Sequence, residues 1–110
     1  MAYVPPEDCA TMAELRVEID AIDDALVELL ARRARYIDRA VDLKRIERLP
    51  PRTVARVAEV IGHVRAKAEA QDLDPDLAET LWTALIEWGI EREARALGIA
   101  DDALPPLPAS

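Results

Sequence analysis

Apolar residues recur at intervals of three and four from Leu15 to Val41, through Ile19, Ile22, Leu26, Leu29, Leu30, Ile37 and Ala40. That spacing places them on one side of an α-helix. Thr11-Met-Ala-Glu14 supplies a capping box at its start, with Thr11 as N-cap and Glu14 reaching back to the Thr11 backbone amide. No Gly or Pro interrupts the pattern before Leu49-Pro50-Pro51, so the first helix is predicted to run to about Arg48. About 36 residues make a rod of roughly 54 Å, while a compact domain of this length has a radius of gyration of roughly 13 Å. One chain cannot cover such a rod. A second copy is the economical way to bury its stripe, and a homodimer is predicted.

Two shorter helices follow. The second is predicted from about Thr53 to Ala70, with Val54, Val57, Ile61 and Val64 on its buried face. Asp74-Pro75 opens the third as N-cap and first helical residue, and Gly98 is its C-cap. Leu77, Leu81, Leu85 and Trp88 form its expected inner stripe. The chain therefore reads as an N-terminal arm at 1–10, one all-α helical domain at 11–98 and a flexible, proline-containing tail at 99–110.

Composition narrows the function. Half the residues are hydrophobic, Phe is absent and only three are Gly, as expected of an all-helical protein. A formal net charge of −8 argues against nucleic acid and against anionic membrane surfaces as partners. No apolar run approaches a membrane span and the first residues lack an apolar leader, so a cytoplasmic location is expected. A single cysteine, Cys9, excludes an internal disulfide, and a single histidine, His63, leaves no metal-ligand cluster. Neither a metal nor another cofactor is expected. His63 reads as an exposed helix residue, and Trp82 and Trp88 as packing bulk in a chain without Phe.

Against that acidic background, Arg33 and Lys44 fall on the greasy stripe of the first helix, eleven residues apart and so about three turns. Cations seldom face a core unless an anion meets them there, and no carboxylate occupies the next turn of the stripe. A ligand is one candidate partner; a charged coiled-coil seam is the other. Arg16 lies roughly 26 Å up the helix from Arg33, too far to share a small molecule within one chain. In an antiparallel pair of long helices, Arg16 of one copy approaches the Arg33–Lys44 region of the other. Arg56, just inside the second helix, is expected to fold back beside the end of the first. Arg33, Lys44 and Arg56 with Arg16 of the second copy would suit a small dianion, because guanidinium forks grip carboxylates in bidentate fashion. Each cation alone could equally be solvated, Arg16 as a surface residue and Lys44 by snorkelling.

The pattern Leu15-Arg16…Ile19-Asp20…Ile22-Asp23…Leu29-Leu30-Ala31-Arg32-Arg33…Lys44 resembles the all-helical chorismate mutase family, over roughly residues 12–97. Pro6-Glu7-Asp8-Cys9, followed by Thr11, is similar to the isochorismate-pyruvate lyase branch of that family. The resemblance implies an intertwined dimer of three-helix chains with two equivalent active sites. It implies that Arg16 of the second copy, Arg33 and Arg56 bind the substrate carboxylates. Lys44 would bond the ether oxygen of the breaking C–O bond, and Glu93 stands where the family has a Gln bonding the same oxygen. The implied activity is the pericyclic conversion of chorismate to prephenate, an isomerase step of the shikimate pathway toward aromatic amino acids, needing neither nucleophile nor base.

This sequence also departs from the family. A Glu93 carboxylate can donate to an ether oxygen only when protonated, so a rate that rises as pH falls is expected. Val57 replaces a Glu of typical mutases that bonds the ring hydroxyl, and Thr53 and Gly89 occupy two other polar positions. The loss at Val57 resembles the lyase branch; the loss of the Gln does not. Chorismate mutase is therefore the first reading, isochorismate-pyruvate lyase (giving salicylate) the second. A non-catalytic helical dimerisation or regulatory module is the rival of a different class.

Overall fold

The computed structural model describes residues 3–107. Among these it contains three α-helices, α1 (Met12–Glu47), α2 (Val54–Ala70) and α3 (Pro75–Leu97), preceded by one 3₁₀ turn over Pro6–Asp8. The fold is all-α. Among the described residues, no helix is long and apolar enough to cross a membrane.

Local chemistry explains the helix limits. Thr11 Oγ1 accepts from the Glu14 amide at 3.2 Å, and Glu14 Oε2 accepts at 3.0 Å from the amide of Ala10, one residue before the expected Thr11. Asp74 caps α3 by accepting from the Asp76 amide, with Pro75 at the first helical position. All three helices end alike. A residue with positive φ (Arg48, Asp72 and Gly98 in turn) is followed by an amide bonded to the carbonyl five residues back: Leu49 to Lys44, Leu73 to Ala68, Ile99 to Ala94. This is the Schellman closure. Only Gly98 carries a sequence signal for it, because Gly alone adopts that conformation without steric cost.

The chain divides into two compact units, Met1–Arg35 and Tyr36–Ser110, and the boundary falls inside α1. In the first unit the arm folds against α1, leaving a half-open, largely apolar pocket of about 380 Å³ between Tyr3, Val4 and Cys9 on one side and Leu15, Ile19 and Ile22 on the other. Most of the α1 stripe in this unit is open to solvent. Ile22, Leu26 and Leu29 are more than half exposed, and Ile19 and Leu30 nearly so.

The second unit holds the core. Val41 of α1, Ala68 of α2, and Ala78, Ile90 and Ala94 of α3 are buried. The buried line of α3 continues through Gly89 and Glu93, which corrects the stripe expected from the sequence. Leu77, Leu81 and Trp88 are each more than two-fifths exposed, and Leu85 is half-buried. Gly89 faces Ile37 of α1, and a Cβ placed on it would make ordinary contact, 3.5 Å from Ile37 Cδ1. On α2, Val57, Ile61 and Val64 turn inward as expected, whereas Val54 is 77% exposed. His63 is exposed.

Candidate functional site

Lys44 sits in the last turn of α1, and its ammonium is half-buried rather than frayed into solvent. Nζ donates to the Pro51 carbonyl at 2.6 Å. It also stands 2.6 Å from Glu93 Oε1 on α3. Glu93 is 4% exposed, the sole buried polar residue among those described. The contact has the distance of an ion pair without the alignment of a hydrogen bond, and no donor satisfies Oε1. The counter-charge for Lys44 lies outside the α1 stripe, in Glu93, which the family resemblance set at the same substrate oxygen. The carboxylate comes from another helix, forty-nine residues along the chain.

Chemically, this gives an oriented cation in a poorly hydrated place. An ammonium has three N–H donors and no acceptor. Pro51 takes one of them and Glu93 lies beside the ammonium as a counter-charge, so donor capacity remains for a ligand oxygen. Positive charge fixed before reaction, with water largely excluded, stabilises negative charge that develops later.

The other predicted residues are placed differently. Arg33 is half-buried in the first unit and Arg16 is exposed there. Neither forms an ion pair among the described residues. Arg56 is exposed and pairs with Glu59 one turn along α2. Thr53 and Val57 are half-buried.

Sequence reasoning missed the cluster that surrounds the α1–α2 loop. Arg52 grips Glu87 with both terminal nitrogens at 2.7 Å and reaches Asp101 Oδ2 at 3.0 Å. Hydrogen bonds to Glu87, then to Asp101, hold the Arg52 guanidinium more firmly protonated, and Arg52 in turn holds the Glu87 carboxyl below its ordinary range. The Arg52 amide donates to the Asp101 carbonyl at 2.7 Å. Arg48 Nε donates to the Pro105 carbonyl at 3.1 Å, and Pro51 and Pro105 are the largest fully buried side chains. The described part of the tail is thus anchored on this loop. On the outer side of α3, Arg92 bonds Asp38 in fork fashion and lies over Trp88, 5.2 Å from the ring centre. The bond to Arg92 holds the Asp38 carboxyl low.

Comparison with known proteins identifies relatives of this chain. Residues 15–94 match the family model for chorismate mutase type II. The isochorismate pyruvate lyase of Pseudomonas aeruginosa is 34% identical over 90 residues, spanning 82% of this chain and 88% of that protein. The T-protein of Enterobacter agglomerans is 36% identical over 70 residues, 64% of this chain but only 19% of that much longer protein.

Proposed function

This chain belongs to the chorismate mutase type II family, and on that premise we propose that it rearranges chorismate to prephenate. The observation that carries the proposal is the Lys44 ammonium, bonded to Pro51 and paired with Glu93, with donor capacity to spare. In this reading the substrate binds in a compact conformer that brings the bond-forming carbons together. As the ether C–O bond breaks and the new C–C bond forms, negative charge grows on the ether oxygen. The free Lys44 N–H donates to it. Glu93 contributes a second donor when protonated and an opposing charge when not. Arg33, Arg56 and Arg16 of a second copy are the proposed partners of the two substrate carboxylates. Pairing of two copies is supported by the solvent-open stripe of Ile22, Leu26 and Leu29.

A second reading has its own support. Val57 offers no polar group to a ring hydroxyl, and the relative matched along most of its length is an isochorismate pyruvate lyase. The same cation would then assist elimination of pyruvate from isochorismate, leaving salicylate. One experiment separates the readings: chorismate and isochorismate are supplied separately at pH 5 and pH 7.5 and products are resolved by chromatography. Prephenate supports the first reading, and salicylate with pyruvate the second. Consumption of neither substrate returns the fold to a non-catalytic role.

A further inference from the structure

The Pro51 carbonyl that holds Lys44 and the Arg52 amide that bonds the Asp101 carbonyl belong to one peptide group. A trans peptide is rigid and planar, with its C=O and N–H pointing in opposite directions. Fixing the N–H on one side therefore fixes where the carbonyl points on the other. At its two ends this peptide joins the tail after α3 to the ammonium at the end of α1. Three further contacts keep the plane from turning. The Arg52 side chain is forked onto Glu87 and bonded to Asp101. The Pro51 ring is fully buried, and Arg48, the positive-φ residue that starts the loop, is bonded to the equally buried Pro105. A loop that only linked two helices would need none of this.

We propose that the segment from Asp101 to Pro105 is a positioning strap, and that Arg52 and Asp101 aim the Lys44 ammonium by locking the Pro51–Arg52 peptide plane. Neither residue needs to touch the substrate. The proposal rests on the reading of Lys44 as the catalytic cation only where rates are used to test it; the aim of the ammonium is observable without catalysis.

The test uses the full chain carrying Arg52→Ala, Arg52→Lys or Asp101→Ala. The Lys44 ammonium is followed by ¹⁵N-detected NMR and assigned by its loss in Lys44→Ala. Held by Pro51 and Glu93, its protons should exchange slowly in the unaltered protein. Arg52→Ala should speed that exchange at least tenfold, Asp101→Ala less, and Arg52→Lys should restore part of it. With substrate, Arg52→Ala should lower kcat about ten- to a hundredfold, as small misplacements of a reacting group do, and change KM less than twofold. In a Lys44→Ala background it should cost nothing further, because residues acting as one unit are not additive. Slow exchange that survives Arg52→Ala overturns the strap, as does an equal fold-loss with and without Lys44. Should Arg52→Ala fail to fold, Asp101→Ala, which removes one of the three hydrogen bonds of the Arg52 side chain, decides by the same exchange measurement. If the unaltered protein turns over neither substrate, the proposed function fails while the exchange result still judges the strap.

Discussion

Lys44 and Glu93 meet at 2.6 Å, the last turn of α1 against the last turns of α3, and each is the other's only charged partner among the described ion pairs. Glu93 must be protonated to donate to a substrate oxygen. The rate should therefore rise as pH falls, and lose toward tenfold per unit on the alkaline limb if one proton is needed. Glu93→Gln, which donates at any pH, should raise the rate at pH 7.5 and flatten the profile. A pH–rate profile of both proteins from pH 5 to 8 tests this, and a slower, equally pH-dependent variant would refute it.

Lys44→Ala should lower kcat about 10²–10³-fold, the scale of losing one preorganised donor to a developing oxyanion. It should also cost roughly 3 kcal/mol of stability, since it leaves a buried charge without its partner. Denaturant unfolding of Lys44→Ala beside Lys44→Ala/Glu93→Gln checks the cause. The double variant should recover part of the loss, because an uncharged amide needs no counter-charge.

Acid should weaken the second unit through Glu87 and Asp38. Arg52 and Arg92 lower their carboxyl pKa values in the folded chain. Their contribution is present above the ordinary carboxylate value near 4.3 and is lost as pH falls through the lower folded values. Tm should therefore fall as pH drops below about 4. The slope should be shallower in Glu87→Gln, and an unchanged slope would remove Glu87 from the account.

Two glycines should respond with opposite signs. Gly62 lies within α2 with nothing within 4 Å of an added Cβ, so Gly62→Ala should stabilise by about 0.5–1 kcal/mol. Gly98 closes α3 at φ 67°, where a Cβ is strained, so Gly98→Ala should destabilise by about 1–2 kcal/mol. Thermal melts of the two variants decide both.

If a second copy covers the open stripe of α1, Tm should rise with protein concentration. Leu26→Glu, which places a charge in the middle of that stripe, should give a monomer by sedimentation velocity. A monomer in the unaltered protein at every concentration would leave the stripe for another partner.

The sequence by itself determined where the helices lie. Their starts depend on Thr11, Glu14, Asp74 and Pro75, and α3 ends at Gly98. These are local devices that act within four residues and can be read without knowing the fold. It also marked Lys44 as a cation on an apolar face. Beyond the place the family resemblance gave Glu93, what faces that cation was decided only by tertiary structure. Glu93, Pro51 and the Arg52–Asp101 strap come from separate stretches of chain, and no spacing along one helix announces them. The inward face of α3 was misjudged for the same reason. Periodicity identified Leu77, Leu81 and Trp88 as its apolar stripe, while the buried line of α3 runs through Gly89, Ile90, Glu93 and Ala94, with Gly89 facing Ile37. Hydrophobic pattern says which residues can be buried; the shape of the neighbouring helix decides which are.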